Sequence, residues 1–149
     1  MSKVRIAIDP GASGSIVIEI AGSLVAYKMP GSLKELSEML DYRGHEVSCL
    51  VENVGFHRIG NSASSSVKFS RHVGELHATM WCMNRIVPVT VVPQKWMKFF
   101  GVMPKDKKDR KNALKSIAAE HFGTRVPAIT LWNADALLLL KYGIDNNLI

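Results

Sequence analysis

With 149 residues, 47% of them hydrophobic and 21% charged, the chain has the balance of one globular domain spanning 1–149, which excludes a disordered or low-complexity protein. Its 19 Lys and Arg against 13 Asp and Glu leave a formal net charge of +6, which favours a polyanionic partner such as nucleic acid. No apolar run reaches bilayer length and no secretory leader opens the sequence, so a cytoplasmic protein without a membrane partner is expected. Cys49 and Cys82 lie in apolar segments without metal-ligand spacing and read as free, buried thiols.

The first element is an apolar strand, Val4 to Asp9, which carries one carboxylate to its end. Pro10 and Gly11 break it, and two further strands follow, Ser15 to Ile20 and Leu24 to Lys28. The short links with Gly11, Gly14 and Gly22 suit antiparallel hairpins. Ser32, with Glu35 three residues on, forms a capping box that opens a helix to about Asp41. Val47 to Glu52 is nearly all apolar, as in a central strand covered on both faces, and it too ends in a carboxylate.

The next stretch, Asn53 to Ser66, is rich in glycine and serine. Within it, Phe56, His57 and Arg58 read in two ways: an aromatic-and-basic group that stacks on or wedges into unpaired bases, or a loop anchored by Phe56. A helix is expected from Ser66 to Asn84, with Val67, Val73, Leu76, Met80 and Met83 as its buried stripe and Trp81 as core. Gly74 within it suggests a close helix–sheet approach. Ile86 to Val92 reads as a strand, and Pro93 starts a short helix to about Phe100. The basic run Lys105 to Arg110 leads into a helix ending near Phe122, and is either a solvated face or a phosphate-binding one. Last comes an apolar helix, Trp132 to Tyr142, with the acid Asp135 near its start.

Asp9 alone could be a turn initiator, a cation ligand or a phosphate contact. The set of Asp9, Glu52 and Asp135 is more informative. If the first and fourth strands are neighbours, Asp9 and Glu52 emerge side by side, and a helix packed on that sheet can add Asp135. Carboxylates held together repel, and a hard divalent cation keeps them all ionised. Two such ions about 3.5–4 Å apart can activate a water and stabilise the leaving oxygen of a phosphodiester.

In these motifs the chain resembles the RuvC family of Holliday junction resolvases, especially the phage versions, over nearly its whole length. The resemblance is carried by Ile8-Asp9-Pro10-Gly11 with Ser13-Gly14, by Val51-Glu52, and by the Asn61-to-Gly74 stretch. It continues through Pro93-Gln94-Lys95-Trp96, the lysines at 107 and 108, and Ala134-Asp135-Ala136-Leu137. It implies an α/β, RNase H-like fold: a mixed five-stranded sheet, three antiparallel strands then two parallel, with helices on both faces. It also implies a homodimer that nicks four-way or otherwise branched DNA symmetrically, in recombination and repair. Asp9, Glu52 and Asp135 would hold Mg²⁺, for which Mn²⁺ can substitute, and either Lys107 or Lys108 would act near the scissile phosphate. DNA contacts are expected from Phe56, His57, Arg58, Ser64, Lys68, Arg71, Lys105 and Arg110.

One departure stands out. The family has a fourth acid about one helical turn before the position of Asp135, where this chain has Leu131 and Trp132. Asn133 is the only polar candidate nearby; it is either a neutral, weaker metal ligand or the helix N-cap. A catalytically impaired binder of branched DNA is therefore a competing reading, as is a nuclease of the same fold acting on a flap, a replication fork or an RNA–DNA hybrid. An actin-like kinase shares the acid-and-glycine turn but needs a duplicated domain, for which 149 residues are too few.

Overall fold

Alternation along the first strand prepares two cores at once. In the computed structural model, which describes residues 1–55 and 62–149, β1 (Lys3–Asp9) is the middle strand of a five-stranded sheet. The others are β2 (Ser15–Ile20), β3 (Ser23–Lys28), β4 (Glu46–Glu52) and β5 (Val89–Val91), in the order β3-β2-β1-β4-β5. β1, β2 and β3 pair antiparallel as successive hairpins, whereas β4 joins β1 and β5 joins β4 in parallel. This is the expected mixed sheet of an RNase H-like α/β fold.

Because successive side chains point to opposite faces, Ala7, Val17 and Leu50 lie on one side of the sheet, and Ile6, Ile8, Ile16, Ile18 and Val51 on the other. The second set packs under α1 (Leu33–Met39) and α2 (Ala63–Asn84) through Leu36, Leu40, Leu76 and Met80. The first is covered by α3 (Pro93–Phe99), α4 (Lys107–Phe122) and α5 (Ala134–Asp145). Helices on both faces explain why β1 and β4 read as nearly continuous apolar runs.

α5 is buried around its whole circumference, from Ala134 through Leu140 and on to Tyr142 and Gly143. Each of Leu137 to Leu140 is at most 1% exposed, and burial of such a side chain stabilises by about 1.5–3 kcal/mol. Gly143 allows the helix this close to the sheet: a Cβ there would lie 2.9 Å from Leu50 Cδ2 and 2.8 Å from Ile149 Cγ1. The Ser32 half of the expected capping box forms, the Glu35 N–H donating to Ser32 Oγ at 3.2 Å, while the Glu35 carboxylate accepts from the Gly31 N–H one residue before the cap.

Several expectations need correction. Gly74 is exposed, and among the described residues a Cβ there would meet nothing within 4 Å, so the close helix–sheet approach belongs to Gly143 instead. Trp81 is 50% exposed and Val67 is 67% exposed, because the stripe of α2 that meets the sheet runs through Leu76, Thr79 and Met80. Cys82 follows Trp81 onto the open side, whereas Cys49 is buried. α2 starts at Ala63, since Ser62 Oγ accepts from the Ser65 N–H at 3.1 Å and caps it earlier than Ser66. β5 keeps only Val89–Val91 of the expected strand, and Val87 is 74% exposed. Among the described residues no helix is long and apolar enough to cross a membrane. Phe56, His57 and Arg58 lie outside the described residues.

Candidate active site

Strand register brings the first two acids together. Ile8 is paired with Val51 in the parallel β1–β4 ladder, so the next residues, Asp9 and Glu52, leave adjacent strand ends side by side. Both share the parity of Ala7 and Leu50 and therefore face α5. On the other flank Asp9 is paired with Ser15, and Ser15 with Lys28. Lys28, Ser15, Asp9 and Glu52 thus form one row across four strands. Ser15 is fully buried, and its Oγ has no hydrogen-bond partner among the described residues.

The turn after Asp9 is shaped by two glycines. Gly11 adopts φ +112°, a conformation side chains disfavour, and its carbonyl accepts from the Gly14 N–H at 3.0 Å. A Cβ on Gly14 would lie 2.0 Å from the Asp9 carbonyl oxygen. The Ser13-Gly14 pair therefore folds directly against the residue that carries the first acid.

Glu52 is 7% exposed, and its Oε2 accepts a 2.7 Å hydrogen bond from the indole Nε1 of Trp96. Trp96 has no exposed surface, and a buried indole N–H needs such an acceptor. Pro93 places it: the ring fixes the start of α3 directly after β5, and Trp96 then falls on the buried side of that helix.

Asp135 is 6% exposed at the first turn of α5, a position that suits an anion. Its Oδ2 accepts from Nζ of Lys111 on α4, while its Oδ1 is buried without a hydrogen-bond partner among the described residues. Burial alone would lower the Lys111 pKa, but the Asp135 charge and hydrogen bond, followed by the charges of Asp9 and Glu52, outweigh it and hold the ammonium above its usual range. One cation is thus attracted by all three acids.

Lys111 is not among the lysines expected from the sequence, although the sequence carries a signal for it. Leu114, Ala118 and Phe122 form the buried stripe of α4, and Lys111 extends that stripe by one turn. A lysine on a buried stripe requires an anionic partner. Lys107 and Lys108, one turn earlier, are exposed and make no ion pair or hydrogen bond among the described residues.

Asn133 occupies the N-cap position of α5, but its side chain makes no capping bond. Its Oδ1 accepts from the Thr130 N–H and its Nδ2 donates to the Ala128 carbonyl, both at 2.9 Å, so both ends of the amide fasten the preceding turn. Trp132, where the resemblance leads one to expect an acid, has Lys28 Nζ 5.7 Å from its ring centroid. The three carboxylates are hard oxygen donors of the kind that suits Mg²⁺ or Mn²⁺, and the open Oδ1 of Asp135 fits such a ligand. Among the described residues no three Asp, Glu, His or Cys side chains, these acids included, stand grouped closely enough to hold a metal ion as they are.

The expected DNA contacts among the described residues differ in their settings. Lys68 lines a cavity of about 560 Å³ beside the Pro10–Ser13 turn, with Ser65, Ser66 and His72. Ser64 is exposed, and Arg71 is exposed and paired with Glu75 at 2.9 Å. Lys105 is exposed too, whereas the Arg110 guanidinium donates to the carbonyls of Lys105 at 3.0 Å and Pro104 at 3.4 Å, tying down the approach to α4.

No protein-family model matches the sequence, and no curated protein matches it. Solved structures do match. Thermus thermophilus RuvC superposes with a TM-score of 0.60 at 15% identity, covering 97% of this chain and 96% of that one. T. thermophilus RuvC in complex with Holliday junction substrate gives 0.64 at 13% identity, covering 97% and 94%. The chain has the RuvC fold. Within that RuvC-like frame, the row at the ends of β1 and β4, the first turn of α5 and the inward face of α4 meet at one place.

Proposed function

We propose that this protein is a structure-selective endodeoxyribonuclease that cuts four-way or otherwise branched DNA by metal-dependent phosphodiester hydrolysis, acting as a homodimer that leaves symmetric nicks. The observation that carries this reading is the meeting of Asp9, Glu52, Asp135 and Lys111 at one end of a RuvC-like sheet. The likeness to RuvC in complex with Holliday junction substrate supports the choice of a branched substrate, and the net charge of +6 supports a polyanion.

Asp9, Glu52 and Asp135 would hold one or more divalent cations, Mg²⁺ in the first instance. Such ions supply an activated water and Lewis-acid stabilisation of the leaving oxygen. The protein's own residues do the rest. Trp96 fixes the Glu52 carboxylate, and the Gly11–Gly14 turn fixes the backbone of Asp9. The lysine role expected of Lys107 or Lys108 is favoured for Lys111, whose ammonium is aimed at the acids. Lys107, Lys108 and Lys105 are left as phosphate contacts with Lys68, and Phe56, His57, Arg58, Ser64, Arg71 and Arg110 complete the proposed DNA surface.

The commitment of the Asn133 amide to its own turn favours a second reading, a binder of branched DNA with impaired catalysis, since no fourth acidic ligand replaces it. One experiment separates the two. Labelled four-way, three-way, flap, RNA–DNA hybrid and linear substrates are incubated with the protein, with and without Mg²⁺. Symmetric nicks in the four-way junction only with Mg²⁺ support the first reading. Retention of branched DNA without cutting supports the second, and preferential cutting of flaps or hybrids reassigns the substrate.

A further inference from the structure

We propose that the Lys111 ammonium is the resident counter-ion of the acid cluster in the metal-free protein, and that it gives up Asp135 when a divalent cation binds. The inference rests on the reading of Asp9, Glu52 and Asp135 as cation ligands, and adds how their charge is managed before the cation arrives.

Burial sets the problem. Glu52 and Asp135 are 7% and 6% exposed, Asp9 stands beside Glu52 at the adjoining strand end, and buried like charges that share a site repel strongly. Lys111 answers it from α4. Its Nζ donates to Asp135 Oδ2, and the charges of Asp9 and Glu52 act on it as well. A single ammonium offers up to three donors, but it leaves acceptors unsatisfied here: among the described residues Asp135 Oδ1 is buried with no hydrogen-bond partner, and so is the Ser15 hydroxyl next to Asp9. A site whose three negative charges face a single ammonium, and whose oxygens are short of ligands, is poised for exchange with an ion of higher charge and coordination number.

The exchange also has room to occur. Lys111 is half-buried with 36% of its side chain exposed, so the four-carbon stem can swing its head toward solvent without leaving α4. Once free of Asp135, the ammonium stays within a side chain's reach of the site, where it can meet the negative charge that develops on a cleaved phosphate. Holding the acids and assisting the reaction then become successive positions of one group.

The test uses the full chain and reads cation binding directly. Mn²⁺ affinity is measured by electron paramagnetic resonance for wild type, Lys111→Met, Lys111→Arg and Asp135→Asn. Removal of the competing charge in Lys111→Met is expected to tighten Mn²⁺ binding about tenfold, because a hydrogen bond to a charged group has a net worth of about that factor. Lys111→Arg, which keeps the charge, should not tighten it, and Asp135→Asn should weaken it. A Lys111→Met protein that binds Mn²⁺ no more tightly than wild type overturns the exchange while leaving the cation site intact. Wild type that binds no Mn²⁺ even at millimolar concentration overturns the reading of the acids themselves. As a measurement independent of any variant's folding, the lysine-ammonium NMR signal of wild-type Lys111 is followed during Mg²⁺ titration. It should shift or disappear together with the backbone signals of Asp9 and Asp135. A Lys111 signal that stays put while those backbone signals move contradicts the exchange.

Discussion

Trp96 donates its indole N–H to Glu52 at 2.7 Å, and neither side chain has more than 7% of its surface exposed. This bond ties α3 to the end of β4 and sets which way the Glu52 carboxylate faces. Trp96→Phe keeps the aromatic packing and removes the donor. It is expected to cost about 1–3 kcal/mol of stability, since a buried carboxylate loses one of its donors. Junction cleavage should fall while junction affinity in a gel-shift assay holds, because Trp96 itself has no exposed surface.

The turn after Asp9 tolerates no side chain at Gly14. An alanine Cβ would sit 2.0 Å from the Asp9 carbonyl oxygen, so the strand end has to move. Gly14→Ala is expected to destabilise by roughly 1–3 kcal/mol, as forced overpacking does, and to lose most cleavage. Gly74→Ala serves as the contrast: none of the described residues lies within 4 Å of a Cβ there, and helix propensity improves. Thermal unfolding of both variants beside wild type checks the pair.

The basic residues should divide by role. Neutralisation of Lys105, Lys107 or Lys108 to Met should weaken DNA binding at every sequence and lower the salt slope by roughly one unit each. Single-turnover cleavage at saturating protein removes such binding defects. Under those conditions the three variants should cut at close to the wild-type rate, whereas Lys111→Met should be slow. Equal rates for Lys111→Met and wild type would return the catalytic role to Lys107 or Lys108.

Away from the site, Glu19 bridges β1 to the segment after α4, accepting from Arg5 at 3.0 Å and from Arg125 at 2.8 Å. Burial alone would raise its pKa, but Arg125 and Arg5 outweigh this and hold the carboxyl below its ordinary 4.5. The stability it contributes is therefore present above the unfolded value and is lost as pH falls through the lower folded value. Glu19→Gln should cost about 0.5–1 kcal/mol at pH 7, within the range of partly exposed ion pairs. The difference from wild type should shrink below about pH 4.5, as urea unfolding across pH can show.

Much of the centre could be read from letters because strand parity is strict. Asp9 ends one apolar run and Glu52 another, and a parallel pairing of those runs leaves both acids on one face. Asp135 was equally visible, as a lone acid in a helix otherwise made for burial. Partners chosen by tertiary packing were less visible. Lys111 stood behind a conspicuous basic run, and its position on the stripe of Leu114 and Ala118 became meaningful only once α4 was seen to lie against α5. Trp81 and Gly74 misled for the opposite reason. Helical periodicity gives the spacing of a buried stripe but not its width, and only a narrow part of α2 meets the sheet. Asn133 looked like a cap by residue type, yet its amide was captured by the turn before it.

The most direct measurement is single-turnover nicking of a labelled four-way junction with Mg²⁺, at saturating protein, by wild type and by Asp9→Asn, Glu52→Gln and Asp135→Asn. Each amide keeps the shape of its acid and removes the charge that would hold the cation. Wild type is expected to leave paired, symmetric nicks and no cuts in linear duplex, while all three variants bind the junction and leave it intact. Wild type that leaves the junction uncut, or variants that cut as fast as wild type, would contradict the assignment of these acids to catalysis.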